Sequence, residues 1–515
     1  MRSSVLSVVA LALVPAFALA AGIVIHVPGD AATIQAGIDA AQAADTVFVA
    51  CGTYYEHDIE MKDGVCLMSA TSDTSCVTID AQGLGRCINC FQVGGLASIT
   101  GFTLTHGESD WGGGIYAEES AFPIRNCRFI DNNATSQGGG GAYWYGGVVD
   151  IADCTFEDNT VEGSRLDATG GGLTLEEVAG NVARCTFSHN ETRYGGGGML
   201  CLGTCAAVID SCTFFENTAS DAIDGVGGGV SCQSGAAPTF FDCTFEGNTA
   251  GYAGGGLYAK NNCTPNSAGC TFDGNEAQWG GGVFIESCIS IWFLACSFHA
   301  NAATYGGGFC ARDVTALTFT GVEFSQNTAV LGGGGLMCDT GSAVSASGCT
   351  FDRNSANQGA AVAAYFGSGI TMDYCTLAAN DFTRGAQADE GGVIYTRNAS
   401  SAALNNCIVA FNTAGEAIVC ELDRSSYLHC TDVYGNDGGD WTGCIASQAG
   451  TDGNLNVDPK FCGLSSADYS LCSNSPCLPD YNDCAVRMGA HDMDCGDCNS
   501  VVEATSWGAI KAMYR

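Results

Sequence analysis

Five carboxylates near the C-terminal end form the densest set of potential ligands in the chain. Asn436-Asp437-Gly-Gly-Asp440 and His491-Asp492-Met-Asp494-Cys-Gly-Asp497 place hard oxygen donors close together, the donor type that calcium takes. Neither string has the full ligand spacing of an EF-hand loop, and Asp-Gly pairs also serve simply as turns. Calcium is therefore the one metal expected, at Asp437, Asp440, Asp492, Asp494 and Asp497, and no cofactor is required. The histidines at 26, 57, 106, 189, 299, 429 and 491 fall into no metal-ligand spacing.

A second chemistry-bearing set is aromatic. Trp111, Tyr194, Tyr252, Trp279 and Tyr305 each stand at the start of a glycine run. Flat rings recurring at one place in a repeat either form an exposed stripe that stacks sugar rings or cover the corners beneath them. Spacing alone leaves both readings open. The glycine runs themselves recur in unit after unit with no Gly-Lys-Ser/Thr string, so they read as corners and not as phosphate loops.

What positions these groups is a repeat whose fullest form is Cys-x-Phe-x-x-Asn. It runs through Cys127/Phe129/Asn132, Cys154/Phe156/Asn159, Cys185/Phe187/Asn190, Cys212/Phe214/Asn217, Cys243/Phe245/Asn248, Cys270/Phe272/Asn275, Cys296/Phe298/Asn301, Val322/Phe324/Asn327 and Cys349/Phe351/Asn354. Weaker copies follow at Cys375/Leu377/Asn380 and Cys407/Val409/Asn412, and successive copies are 26 to 32 residues apart. Such a period means one supersecondary unit per repeat, a solenoid. Cys-Thr-Phe puts its first and third residues on one strand face, and the Gly-rich stretches tolerate sharp corners. A Leu skeleton and a nine-residue period are both missing, which leaves a parallel β-helix with rungs about 4.8 Å apart. In register, the phenylalanines become an interior stack, and the asparagines a corner ladder bonded to one another and to the turn backbone.

There are 31 cysteines. Those in the repeat column are expected as buried thiols acting as small hydrophobes, because parallel Cα to Cβ vectors suit a disulfide poorly. Oxidation is expected outside the column, at Cys201 with Cys205, at Cys87 with Cys90, and among Cys462, Cys472, Cys477, Cys484, Cys495 and Cys498.

The two ends depart from the repeat. Residues 1–20 carry Arg2, an apolar run from Val5 to Leu19 and Ala18-Leu19-Ala20, the layout of a secretory signal peptide. Residues 21–56 read as an N-terminal cap of strand, short helix and strand, with Ile34 and Ile38 on one helical face. Repeats occupy 57–445, a Cys-rich exit segment 446–498 and a C-terminal tail 499–515. No later apolar stretch reaches membrane-spanning length. A net charge of −37 argues against nucleic acid and anionic membrane as partners.

Val27-Pro28-Gly29-Asp30-Ala-Ala-Thr33-Ile34-Gln35-Ala36-Gly37-Ile38-Asp39-Ala40, with Asp45-Thr46-Val47 and Gly52-Thr53-Tyr54, resembles the first module of secreted right-handed parallel β-helix proteins of the pectate-lyase-like superfamily. The alternating Gly-Gly-aliphatic and Phe-x-x-Asn strings resemble the polymorphic membrane protein repeat of bacterial surface adhesins. Asp458-Pro459-Lys460-Phe461, Asp468-Tyr469-Ser470-Leu471, Ser475-Pro476-Cys477 and Gly489-Ala490 look like the closing segment of such helices. The resemblance implies an all-β, right-handed parallel β-helix, secreted or held at a surface, outer membrane included, with polysaccharide or cell-surface glycan as partner. Polymorphic membrane proteins end in a translocating β-barrel, for which no stretch after Cys498 is long enough.

Hydrolases of the resembled fold carry convergent Asp residues with Gly-His-Gly and Arg-x-Lys, and none of these strings occurs. Lyases need a basic residue to take a proton, with a cation neutralising the sugar carboxylate. Only Lys62, Lys260, Lys460 and Lys511 exist, and the arginines do not cluster. A non-catalytic monomer presenting a repetitive flank for adhesion or carbohydrate binding is the leading expectation. A polysaccharide lyase is the alternative.

Overall fold

A computed structural model of the protein describes residues 22–163, 170–382, 391–421 and 426–498. The leader read at 1–20 and the tail 499–515 lie outside them. Three parallel sheets of 16, 15 and 14 strands run the length of the solenoid, a fourth of nine strands spans its middle rungs from Glu108–Trp111 to Thr328–Gly332, and a three-stranded sheet lies beside them. One rung shows the plan. Thr244–Glu246 lies in the phenylalanine sheet, Thr249–Ala250 in the short nine-stranded sheet, Leu257–Lys260 in the sheet that follows the glycine run, and Asn266–Ala268 in the 16-stranded sheet. Thr271–Asp273 then pairs with Thr244–Glu246 one rung on. The expected all-β solenoid is what forms.

Left-handed residues bracket each phenylalanine strand and turn the chain at both ends: Asp242 at φ 49° precedes Cys243, and Gly247 at φ 63° precedes Asn248. The glycines of a run serve two purposes. Gly254 adopts φ 66°, whereas a Cβ on Gly255 or Gly256 would lie 2.4 or 2.7 Å from a carbonyl oxygen of the next rung.

Interior columns are continuous. The rings from Phe129 to Phe351 stack at centroid spacings of 4.4 to 4.9 Å with tilts of 2 to 12°, matching the distance between paired strands. Beside them the fully buried asparagines form the expected ladder. The Asn248 side chain donates to Asn275 Oδ1 at 2.9 Å and to the Phe214 carbonyl at 2.9 Å, and its backbone N–H donates to the same Asn275 Oδ1 at 3.0 Å. Each buried amide is thus satisfied by its neighbours, as a low-dielectric site requires.

The column cysteines are buried thiols. Five disulfides lie outside the column: Cys51–Cys76, Cys420–Cys444, Cys430–Cys484, Cys462–Cys495 and Cys472–Cys498. The expected pairs Cys201 with Cys205 and Cys87 with Cys90 are not formed, and Cys477 is also a thiol. These thiols lie in the dry interior, where burial pushes Cys87 up to about 12 and leaves them inert.

The helix Ile34–Ala40 buries Ile34 and Ile38 against the first turn, and the Thr33 hydroxyl accepts from the Ala36 N–H at 3.1 Å. Val24–Val27 and Thr46–Val49 are the first two strands of the 16-stranded sheet. At the far end Ile445, in the short helix Gly443–Gln448, is buried in the main core. The Cys-rich segment then folds back over the outside of the phenylalanine sheet, where Phe461, Tyr469, Leu471 and Met488 pack on Ala378, Ile408 and Ala410.

Candidate binding cleft

Strands of the glycine-run sheet point their first and third residues inward, yet their second residues are buried as well. Tyr258, Phe284, Cys310 and Met337 lie at this outward position and form a second apolar layer. Tyr252, Trp279 and Tyr305 pack over that layer, each half-buried. Aromatic cover is therefore a large part of what these rings do.

Counting back from the left-handed glycine of each run separates the five aromatics. Trp279 is in register with Tyr305, and both stand directly before that glycine; Ala253, not Tyr252, pairs with Trp279. Tyr194 likewise lies one residue early, before Gly195 and the left-handed Gly196. Trp111 shares the Trp279 column position but pairs with Gly138, and it stacks instead on Tyr143 at 5.4 Å. For Tyr194 the offset is hidden because runs of three and four glycines look alike in sequence; for Tyr252 it comes from Ala253, which stands before Gly254. Only Trp279 and Tyr305 stack as column neighbours, at 4.1 Å and 14°.

Trp279 has no free face. The Arg312 guanidinium lies 4.1 Å from its ring centroid, and two groups at that distance cannot share one face with the Tyr305 ring on it. Tyr305 is different. Its in-register neighbour in the next rung is Gly332, followed by Gln358. The aromatic column stops there, leaving a cleft of about 530 Å³.

Tyr305, Leu331 and Met337 supply its apolar wall, and Asp339, Gln358, Tyr365 and Arg397 its polar one. Gly332 does not need a glycine backbone, but a Cβ there would lie 2.5 Å from Tyr365 Oη. Glycine keeps the space open.

Apart from Gln358, the polar wall belongs to the position that ends or directly follows successive strands in this sheet. Lys260, Glu286, Arg312 and Asp339 are in register and alternate in charge, with contacts of 3.0 Å for Lys260–Glu286, 3.7 Å for Arg312–Glu286 and 3.2 Å for Arg312–Asp339. Tyr365 and Arg397 follow in the next two rungs. The Tyr365 hydroxyl donates to Gln358 Oε1 at 2.7 Å, and burial raises its pKa above the usual phenol range. Arg397 pairs with Glu421 at 3.3 Å. Asp339 is only 5% exposed, and its Oδ1 has no hydrogen-bond partner. Sequence reasoning missed Asp339, Tyr365 and Arg397, since each merely ends or directly follows an ordinary strand; the break at Gly332 in the aromatic column was the available signal.

The five carboxylates read as calcium ligands are not gathered. Asp440 accepts from the backbone N–H groups of Gly435 and Asn436 at 3.1 and 2.9 Å and from the Asn436 side chain at 2.8 Å, which ends the asparagine ladder. Asp492 pairs with Arg487, Asp497 accepts from Ser473 at 2.6 Å, and Asp437 and Asp494 are exposed. Among the described residues, the one group of three or more potential ligand side chains within 4.8 Å of one another is Cys462, Cys472 and Cys495, all in disulfides. No helix among these residues is long and apolar enough to cross a membrane.

No curated protein matches the chain. Several solved structures are similar to it in fold. Tailspike protein 3 of bacteriophage CBA120 is 10% identical with a TM-score of 0.30, the match covering 77% of this chain and 58% of the tailspike. The A-module of the mannuronan C-5 epimerase AlgE4 from Azotobacter vinelandii is 15% identical with a TM-score of 0.27, covering 78% of this chain and 90% of the module. A mannuronic acid specific polysaccharide family 6 lyase from human gut microbiota is 10% identical with a TM-score of 0.32, covering 83% of this chain and 88% of the lyase. These likenesses concern the fold alone. The family model described as right handed beta helix region matches residues 86–266, 251–414 and 306–451, so the chain belongs to the right-handed β-helix family.

Proposed function

We propose that the protein is a secreted, non-catalytic β-helix that binds glycan in the cleft beside Tyr305. The observation that carries this reading is the open end of the aromatic column: one ring face next to a 530 Å³ cleft walled by Asp339, Gln358, Tyr365 and Arg397. A pyranose presents an apolar face to stack on such a ring and a rim of hydroxyls for the polar groups, the usual make-up of a small-ligand site. The aromatics at Trp111, Tyr194, Tyr252 and Trp279 support the wall and the covering layer and are not themselves the platform. The leader-like residues 1–20 and the five disulfides support an oxidising, extracellular setting.

Binding is favoured over bond cleavage by how the basic and phenolic groups are engaged. Arg397 is paired with Glu421 at 3.3 Å, and burial makes Tyr365 hold its proton more tightly than a free phenol. Neither is a base for taking a proton from a sugar ring. A panel of polysaccharides screened for both binding and unsaturated product tests this. Binding that Tyr305→Ala removes, without product, is the expected result. Unsaturated product would replace the reading with a lyase.

A further inference from the structure

Asp339 carries information about the ligand. Its Oδ2 accepts from Arg312 Nε at 3.2 Å, while Oδ1 is closed to bulk water and has no donor. A buried carboxylate oxygen without a donor is costly, and native structures keep such groups where something outside the fold completes them. Nearby donors are committed elsewhere: the Tyr365 hydroxyl to Gln358, Arg397 to Glu421, and Arg312 to Glu286 and the Trp279 face. Asp339 lines the cleft, so a ligand that turns its carboxylate toward the opening supplies the missing donor.

Charge narrows what can deliver it. Each arginine at the cleft is matched by a carboxylate, Arg312 by Asp339 and Glu286 and Arg397 by Glu421, within a chain of net charge −37. Among the described residues no further cation lines the cleft to neutralise an incoming acid group, and an anionic sugar would meet the partly unpaired Asp339 in a poorly screened site. We infer that the cleft takes a sugar without acid groups, neutral or amino, which donates a hydroxyl or ammonium proton to Asp339, and that it excludes uronates. This rests on the glycan-binding reading above.

The test uses the folded full chain and five soluble probes: a β-glucan oligosaccharide, a mannan oligosaccharide, a chitin oligosaccharide in acetylated and in deacetylated form, and polygalacturonate. Binding of a neutral or amino probe, with polygalacturonate at least tenfold weaker, is expected. Asp339→Asn, which keeps an acceptor for Arg312, should weaken the preferred probe about tenfold or more, since charge-assisted bonds are the stronger kind. Binding of only the deacetylated chitin form assigns an ammonium donor; binding of both forms, or of the glucan or mannan, assigns a hydroxyl. Polygalacturonate binding best, or an unchanged Asp339→Asn affinity, overturns the inference and leaves glycan binding standing. Binding of no probe overturns the glycan reading itself. The probe comparison on the unaltered protein decides charge preference even if Asp339→Asn folds poorly.

Discussion

Two aromatic columns of the same rungs behave differently. Inside, nine phenylalanine rings from Phe129 to Phe351 stack without a gap. Outside, at the ends of strands in the nine-stranded sheet, Trp279 and Tyr305 stack and the column then stops at Gly332. In a register-locked stack, a continuous column completes its own contacts, and only an end leaves a face unused. Uninterrupted ladders hold the solenoid together, and the interrupted one is where a ligand fits.

The largest effect should come from breaking the inner column. Phe245→Ala removes a fully buried ring with a neighbour on each side and should cost about 3 to 5 kcal/mol in chemical denaturation. Thr244→Ser, at the adjacent outward-facing position, should change stability by less than about 0.5 kcal/mol. Equal stability of the two variants would show that the phenylalanine column is not the core.

Next in size is the end of the asparagine ladder. Asp440→Ala strips three acceptor contacts from Gly435 and Asn436 and should cost about 1 to 3 kcal/mol. An unaltered melting temperature would remove Asp440 from its capping role.

A pH effect comes from Asp432, which is fully buried beneath the folded-back segment and accepts from the Cys477 thiol at 3.4 Å. Desolvation raises its pKa to about 7, above the ordinary carboxylate value near 4. The folded state therefore holds a proton that the unfolded state has lost between about pH 4 and 7, and this group lowers stability as pH rises through that window. Asp432→Asn should flatten that slope in melting curves taken across it. An unchanged slope would mean that Asp432 is ionised in the fold throughout.

The outer column yields a smaller and more discriminating pair. Trp279→Ala removes a ring sandwiched between Arg312 and Tyr305 and should lower stability by about 1 to 2 kcal/mol, whereas Tyr305→Ala should lower it less yet abolish binding. The reverse order would move the platform from Tyr305 to Trp279. Thiol labelling adds a check on the inner rungs. The column from Cys127 to Cys349, buried and unpaired, should react only after unfolding.

The repeat made the fold legible, because Cys-x-Phe-x-x-Asn recurs often enough to force register, and register dictates the stack and the ladder. The N-terminal helix was legible from Thr33, Ile34 and Ile38. The fold-back of residues 446–498 is not read from the sequence, although Ala378, Ile408 and Ala410 replace polar outward residues of earlier strands with apolar ones, the mark of a strand covered on both faces. The cleft was only half legible. Aromatics before glycine runs flagged the right corner of the rung, but the one-residue offset of Tyr194 depends on which of four glycines turns left-handed, which residue type alone does not tell, whereas that of Tyr252 follows from Ala253 before Gly254. Asp339 and Arg397 carried no motif, because their meaning comes from rungs far apart in sequence.

Gly332 offers the most direct test. Gly332→Tyr extends the outer column by one rung and fills the cleft, displacing the Tyr365 hydroxyl that a Cβ there would meet at 2.5 Å, at a position whose backbone φ lies outside the left-handed region. Titration of the preferred neutral or amino glycan into this variant and the parent, alongside their melting curves, is the measurement. The account predicts loss of binding in a variant that still unfolds cooperatively, with a melting temperature lowered by the displacement of Tyr365. Undiminished affinity with the cleft filled would contradict it.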